Sequence, residues 1–255
     1  MKRTLVLFVI LILLAFSTYV YGKNTITFVN NKMYIIENTT FNNKNVLEKL
    51  NVKCSNKEYL ESFRITNFEN HTVLYIRYVR NSAGWPYLLI LLGKVKSKGI
   101  TNITYDVYVA TNSSISSRTD IPNTQKNAYI PMILYLDNKN YIAIENYADE
   151  HGNAFLIRGY VNGVQKYYND GVTKFIQIPL NKFIHYTIEI NWEKWITNIY
   201  VDGDILYSNI NISDTFPKTL FYNKIGYYGI FILAGFGDYF IESVSLKQYI
   251  TIQIL

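Results

Sequence analysis

The sequence predicts an all-β protein, built as a sandwich or barrel of antiparallel strands. Its 255 residues include 24 tyrosines and 14 phenylalanines, which together with abundant Ile and Val favour β-strands. Short runs of these residues recur about every 8–12 positions, separated by turn-forming residues. No helical pattern lies between the runs to carry a crossover connection, so a parallel sheet is not expected. No linker or repeat interrupts the pattern, which indicates one domain.

The N-terminal segment is typical of a secretory signal peptide. Lys2 and Arg3 precede the 12-residue apolar run "LVLFVILILLAF", and "STYVYG" follows it. We therefore expect residues 1–22 to be a signal peptide cleaved near Gly22–Lys23, and residues 23–255 to form a mature domain outside the cell. The alternative is an uncleaved membrane anchor, although the run is short for a membrane span.

From residue 24 onward, predicted strands alternate with turns. "TITFVNNKMYII" predicts an opening hairpin around Asn30–Asn31, and "NVLEKLNV" predicts a helical turn. Segment 111–127 is polar and lacks periodicity, as functional loops often do. The other predicted strands are "TVLYIRYV", "WPYLLILL", "ITYDVYVA", "YIPMILYLD", "YIAIENYA", "AFLIRGYV", "VQKYY", "KFIQIPL" and "HYTIEIN".

The segment "HYTIEINWEKWITNIYVDGDILYS" predicts a three-stranded antiparallel meander. Its first strand alternates Tyr186, Ile188 and Ile190 with polar residues, and the run from Trp195 to Val201 also has period two. "WEKW" is the predicted hairpin loop between these strands. Asp202–Gly203 supplies the two positive-φ positions of a tight primed turn, so this pair serves backbone geometry and not chemistry.

This meander resembles the concanavalin A-like lectin/glucanase superfamily, in its laminin G-like branch, where an aromatic-rich strand leads into one ending in "vyvDG". "NYIAIENYADEHGNAFLIRGYVNGVQKYY" is similar to the adjacent strands of that family, and "IGYYGIFILAGFGDYFIESVSLKQY" to its closing strands. The resemblance covers about residues 66–249 and does not place the N-terminal part. It implies an antiparallel two-sheet jelly-roll sandwich with a curved sheet that often binds sugars.

The catalytic carboxylates of related glucanases have no counterpart in this sequence. Those enzymes carry Glu-x-Asp-x-(x)-Glu on one strand, and a retaining mechanism needs two carboxyl groups about 5–5.5 Å apart. Glu189 and Glu193 are four residues apart across a predicted bend, so we interpret them as surface carboxylates. No catalytic residue is predicted.

A metal or cofactor is not predicted either. Asp149, Glu150 and His151 share one polar turn, where calcium would accept the carboxylate oxygens. Consecutive side chains in a turn diverge, so calcium stays an alternative only. His71 and His185 have no Cys or His at the spacing of a zinc site.

Aromatic side chains are the remaining candidates for ligand binding, because sugars stack on the faces of Trp and Tyr rings. Trp192 and Trp195 flank the predicted hairpin loop, and Tyr147, Tyr160 and Tyr168 lie on or beside the middle strands. The competing interpretation is that these rings belong to the core or to the ordinary sheet surface.

Charge, cysteine content and sequons constrain the partners. Removing Lys2 and Arg3 with residues 1–22 lowers the net charge from +6 to +4, too little for nucleic-acid binding. The basic cluster "KVKSKG" is interpreted as a solvated turn. Cys54 is the single cysteine, interpreted as a buried thiol, with a disulfide to another chain as the alternative. Glycosylation candidates lie in five sequons, at Asn38, Asn70, Asn102, Asn112 and Asn211.

Two functional hypotheses from different classes follow. The first is a secreted, non-catalytic lectin-like protein that binds glycans or a cell or virion surface. The second is a structural component of an archaeal cell surface or virus particle, suggested by the abundance of Ile, Tyr, Lys and Asn. A glycoside hydrolase or polysaccharide lyase is a weaker alternative because the acid/base pair is missing.

The C-terminal segment "SVSLKQYITIQIL" predicts a long strand. Val244, Leu246, Gln248 and Ile250 share one face, and polar residues mostly occupy the other. We expect its end to pair with the N-terminal strand "TITFVN" of the same chain. The alternative is self-association, with this end added to the sheet of a neighbouring subunit.

Overall fold

The predicted antiparallel two-sheet jelly-roll sandwich is confirmed in the computed structural model of the chain. The structure describes residues 25–29, 32–41, 44–55, 57–78, 87–109, 132–137, 139–149, 152–168, 182–213, 217–233 and 237–251. Strands are numbered β1 to β16 in chain order. Among the described residues, the short helical pieces are the 3-10 helices Lys44–Lys49 and Lys57–Tyr59 and the one-turn α-helix α1, Lys218–Phe221.

Nine strands form the larger sheet. They are β1 (Thr25–Val29), β2 (Lys32–Thr40), β4 (Leu60–Phe68), β5 (His71–Tyr78), β7 (Ile100–Val109), β12 (Phe183–Asn191), β13 (Ile196–Val201), β14 (Asp204–Asn211) and β16 (Gly237–Thr251). Their order is β1-β2-β16-β7-β12-β13-β14. The β4–β5 hairpin pairs with the first part of β16, and β2 pairs with its second part.

Seven strands form the second sheet. They are β3 (Asn51–Cys54), β6 (Tyr87–Lys96), β8 (Met132–Asp137), β9 (Asn140–Asp149), β10 (Gly152–Val161), β11 (Val164–Tyr168) and β15 (Ile225–Leu233). Their order is β11-β10-β9-β8-β15-β6-β3, and every pairing is antiparallel.

The main core lies between the two sheets, because alternate residues of each strand point inward. Ile188, Ile190 and Ile199 are buried on the nine-stranded side, and Leu88 and Ile90 on the seven-stranded side. Cys54 is half-buried and packs against this core, close to the environment expected for a structural thiol.

The predicted local elements are confirmed where the structure describes them. β1 and β2 form the opening hairpin, β12 to β14 form the meander, and the predicted helical turn is a 3-10 helix. Asp202 and Gly203 have φ values of +50° and +89°, as a primed turn requires. The predicted strand "KFIQIPL" lies outside the described residues.

The predicted partner of the C-terminal strand was wrong. β16 pairs with β2, with Ile250 opposite Met33 and Thr251 opposite Lys32, and β1 lies on the far side of β2. The nine-residue β2 offers β16 a longer register than the five-residue β1. Because β7 occupies the other edge of β16 as far as Tyr249, strand addition by a neighbouring subunit has no free edge over that length. Residues 252–255 lie outside the described part.

Within the described residues, no helix has the length and apolar character needed to cross a membrane. The predicted signal peptide, residues 1–22, lies outside them.

Candidate functional site

The outer face of the seven-stranded sheet carries a second apolar cluster, separate from the main core. Leu89, Leu91 and Tyr135 form it, and Tyr141 packs against it. Leu89 and Leu91 alternate along β6 with Leu88 and Ile90, which face the main core. Both faces of this sheet are therefore apolar near β6 and β8, whereas a simple solvent-facing surface would be polar.

Four tyrosines are successive register partners across this sheet, and Tyr135 and Tyr141 among them belong to the outer cluster. Tyr227 on β15 is the register partner of Tyr135 on β8, Tyr135 is that of Tyr141 on β9, and Tyr141 is that of Tyr160 on β10. We call these four residues the tyrosine row. With neighbouring strands about 4.8 Å apart, the row extends for about 14 Å. Tyr227 is 37% exposed and Tyr135 8% exposed, so the row is open at its β15 end.

Lysines border the tyrosine row. Lys53 on the edge strand β3 donates from Nζ to the Tyr135 hydroxyl at 3.3 Å, with Nζ 4.8 Å from the ring centroid. Lys94 on β6 is exposed and is the register partner of Tyr227. The surface thus combines aromatic rings with hydrogen-bond donors, the two kinds of group that sugar recognition uses.

Trp192 and Trp195 do not form part of an exposed site. They are 1% and 3% exposed and belong to the main core, with ring centroids 5.2 Å apart in an edge-to-face arrangement. Trp192 Nε1 donates to the buried Thr101 Oγ1 at 2.9 Å, which satisfies the indole in the core. Because a buried ring offers no face to a sugar, this placement overturns both residues as sugar-binding candidates.

The three tyrosine candidates lie on the seven-stranded sheet. Tyr160 belongs to the tyrosine row by register. Tyr147 on β9 is opposite Ala154, and Tyr168 on β11 is opposite Ile157, so neither is in that row. The sequence contained no sign of Tyr135, Tyr141 and Tyr227 as a group, because they come from three separate strands.

The carboxylates considered for catalysis are engaged in local hydrogen bonds. Glu189 Oε1 accepts from Asn198 Nδ2 at 2.7 Å, and Glu193 accepts from the Tyr222 hydroxyl at 2.9 Å. The side chains of Asp149, Glu150 and His151 lie outside what the structure describes. Among the side chains that it does describe, no group of three or more His, Cys, Asp or Glu could hold a metal ion.

The outer face of the nine-stranded sheet carries a second aromatic row, which the sequence did not indicate. Arg64, Tyr75, Phe240, Tyr108 and Phe183 are successive register partners across β4, β5, β16, β7 and β12. Tyr75 stacks on Phe240 with centroids 4.9 Å apart. Phe68, from the end of β4, stacks on Phe240 at 3.9 Å. Because the rings of β4 and β5 stack on Phe240 of β16, these contacts pack the β4–β5 hairpin against the rest of the sheet.

Two histidine–carboxylate pairs lie beside that second row. His185 Nδ1 is 2.6 Å from Asp106 Oδ1, and Ser243 Oγ donates to Asp106 Oδ2 at 2.5 Å. His71 Nδ1 is 2.9 Å from Glu242. The serine contacts the aspartate and not the imidazole, so this is not the nucleophile–base arrangement of a hydrolase.

Four of the five sequons lie in described strands or turns. Asn38 and Asn70 are exposed. Asn211 is exposed, but its Oδ1 accepts from the Ser213 backbone N–H at 2.9 Å. Asn102 lies in the interior strand β7 and its Oδ1 atom is buried, so it is the least accessible of the four to glycosylation. Asn112 lies outside the described residues, and use of any of the five stays a prediction.

Comparisons with known proteins show the fold class. No family model matches the chain, and no curated protein matches it in sequence. Peanut lectin bound to a nine-residue peptide is similar in structure at a TM-score of 0.51 and 12% identity, covering 86% of this chain and 99% of the lectin. The protein therefore has the concanavalin A-like jelly-roll fold that the resemblance of the meander implies.

Two further solved structures have lower scores. A carbohydrate-binding module from Bacillus subtilis has a TM-score of 0.42 at 12% identity, over 77% of this chain and 91% of the module. A β-1,3-glucanase from Mycobacterium marinum has a TM-score of 0.47 at 8% identity, over 77% of this chain and 90% of the enzyme. The fold alone does not determine the function, because one fold hosts many functions.

Proposed function

We propose that this protein is a secreted, non-catalytic, lectin-like protein that binds a glycan along the tyrosine row. The observation that carries the proposal is that the exposed Tyr227 and the half-buried Tyr141 flank the buried Tyr135 on the outer face of the seven-stranded sheet. Aromatic rings offer an apolar face to the C–H groups of a sugar, and their hydroxyl groups accept and donate hydrogen bonds. The N-terminal signal segment supports secretion.

Binding without catalysis fits the groups along the row. The charged side chains that contact the row or pair with it by register, among those described, are Lys53 and Lys94. Asp137, an exposed carboxylate two residues beyond Tyr135 on β8, accepts from Asn140 Nδ2. Glycoside hydrolysis normally needs two carboxyl groups. A lectin is among the solved structures that share the fold, but the tyrosine row is the basis of the proposal.

A glycan array probed with residues 23–255, followed by variants, tests the proposal. Tyr227→Ala and Tyr141→Ala are expected to weaken binding to the best glycan about five- to tenfold each, since an aromatic contact contributes about 1 kcal/mol. Tyr227→Phe keeps the ring and should retain most of the affinity.

The matched control is Tyr200→Ala, a partly buried tyrosine on β13 of the other sheet. It should leave the affinity unchanged. A silent array would contradict the proposal, and so would an equal loss of binding in Tyr200→Ala and Tyr227→Ala.

A further inference from the structure

Three connecting segments meet at one end of the sandwich. They are the β6–β7 loop (residues 97–99), the β12–β13 loop (residues 192–195) and the segment around α1 (residues 217–224). The Trp192 N–H donates to the Gly99 carbonyl at 2.8 Å, and the Ser97 N–H donates to the Lys224 carbonyl at 2.9 Å. These bonds hold segments more than 90 residues apart in sequence against one another.

Glu193 is the contact point of the three segments. Its carboxylate accepts from the Gly99 N–H at 3.2 Å and from the Tyr222 hydroxyl at 2.9 Å, and Lys218 Nζ donates to its carbonyl at 3.4 Å. The hydrogen bond to Glu193 raises the pKa of Tyr222. The Glu193 carboxylate therefore links the three segments at this end of the sandwich through its hydrogen bonds.

Four lysines lie in these three segments, and Lys96 is the last residue of β6 before them. The set comprises Lys96, Lys98, Lys194, Lys218 and Lys224, and we call it the lysine end. Over the described residues 96–99, 192–195 and 217–224, these five lysines and Glu193 sum to a charge of +4. Lys194, Lys218 and Lys224 are exposed. Charge of one sign gathered in one place attracts ligands of the opposite sign.

The lysine end is continuous with the tyrosine row. Lys94 is the register partner of Tyr227, and Lys96, two residues further along β6, is the partner of Ile225. Two strand positions correspond to about 7 Å. Ile225 is 67% exposed, so the surface between the row and the lysine end is open. A polymer lying on Tyr227 therefore reaches the lysine end without leaving the surface.

We infer that the glycan is an acidic polysaccharide, whose carboxylate or sulfate groups are bound by the lysine end while its sugar rings lie on the tyrosine row. This inference rests on the proposed function. Lysine ammonium groups are compact charges on flexible stems, suited to anionic groups spaced along a polymer. Because these lysines are exposed, the attraction is screened by salt.

Binding measured against four polymers tests the inference. Polygalacturonate carries carboxylates, dextran sulfate carries sulfates, dextran is neutral, and a DNA duplex is an anionic polymer of another class. The wild-type protein is expected to prefer one or both acidic polysaccharides over dextran, and to bind them more weakly as salt is added. The better of the two identifies the anionic group.

Two triple variants locate the charge. Lys194→Gln/Lys218→Gln/Lys224→Gln removes three exposed lysines of the lysine end, and Lys49→Gln/Lys57→Gln/Lys247→Gln removes three exposed lysines elsewhere. The first is expected to weaken acidic-polysaccharide binding about tenfold, since each exposed charge pair is worth a few-fold. The second should change it less than about twofold. Melting curves check that both variants fold.

The outcomes separate this inference from the proposed function. Equal losses in the two triple variants, or DNA binding as tight as that of the acidic polysaccharides, would overturn the inference, as would a preference for neutral glycans that depends on Tyr227. If Tyr227→Ala leaves acidic-polymer binding intact while the first triple variant loses it, the lysine end stands and the tyrosine row fails.

Discussion

At the scale of single residues, the turn at Asp202–Gly203 needs a positive φ angle at both residues but leaves space for a larger side chain at Gly203. Both residues have positive φ, and a Cβ added to Gly203 would meet no atom within 4 Å. The Asp202 carboxylate accepts from the His185 N–H at 2.9 Å, and this bond lowers the pKa of Asp202. A substitution at Gly203 therefore reports backbone strain alone.

We predict that Gly203→Val lowers the free energy of unfolding by about 1–3 kcal/mol, because a β-branched residue is strained at positive φ. Gly203→Asn should cost less, since Asn tolerates this region. Chemical denaturation of the two variants and the wild type measures the difference. Equal costs would mean that the turn is not primed in solution.

Glu37 is a carboxylate that β2 carries on the core side of the sandwich. Its register partner is the buried Leu246, and a Cβ on Gly93 would collide with both Glu37 Oε2 and the Tyr228 ring. The absent side chain of Gly93 therefore makes room for Glu37. Burial raises the pKa of Glu37 above its ordinary value of 4.5, and the Tyr228 hydroxyl offsets part of this rise.

A raised carboxyl pKa means that the folded state favours the protonated form. The Glu37 carboxyl group therefore contributes most to the stability of the folded state below pH 4.5, and this contribution is lost as the pH rises through its folded-state pKa. We predict that Glu37→Gln raises the melting temperature at pH 7 and that this gain disappears near about pH 3. A variant that melts below the wild type at pH 7 would show that the charged carboxylate is stabilising there.

The sequence pattern predicts correctly which residues share a face of a strand. It does not predict whether a residue beside a loop is buried or exposed. The alternation in β12 and β13 was correct, and Ile188 and Ile199 are buried. Trp192 and Trp195 seemed available because they flank a hairpin loop. Their burial depends on Thr101 and on Tyr222, whose ring centroid is 6.4 Å from that of Trp195. Neither contact is visible in the local pattern.

At the scale of elements, β16 is the strand that joins the two parts of the nine-stranded sheet. Its first residues pair with β5, its later residues with β2, and β7 runs along its other edge. The faces predicted for its C-terminal half are confirmed, since Val244, Leu246, Gln248 and Ile250 are all buried. The partner could not be predicted, because β1 and β2 are both apolar and only the packed sheet selects between them.

We predict that ending the chain after Tyr249 lowers the stability without changing the oligomeric state. The truncation removes the buried Ile250 and the pairing of Thr251 with Lys32. Loss of a buried isoleucine side chain typically costs about 2–5 kcal/mol. Thermal melting with size-exclusion chromatography checks both points. A truncated protein that melts normally but changes its assembly state would restore the strand-addition hypothesis.

At the scale of the whole molecule, the fold was predictable because it rests on local signals repeated along the chain. Period-two strands, turn residues and the meander all point to the same sandwich. The surfaces were not predictable, because each collects residues from distant strands. Tyr135 and Tyr227 are 92 positions apart, and Lys98 and Lys224 are 126 apart, and only the strand order brings each pair together.

The two outer faces make the location of a bound glycan the sharpest test of the proposed function. Each face carries an aromatic row, but Tyr227 is open to solvent, whereas Phe240 is covered by stacked neighbours. Backbone amide shifts in NMR spectra, recorded with and without the best oligosaccharide from the array, map the contact. We predict that the largest shifts fall on β15, β8 and β9 around Tyr227, Tyr135 and Tyr141. Shifts centred instead on Phe240 and Tyr108 of the nine-stranded sheet would contradict the proposed binding of a glycan along the tyrosine row.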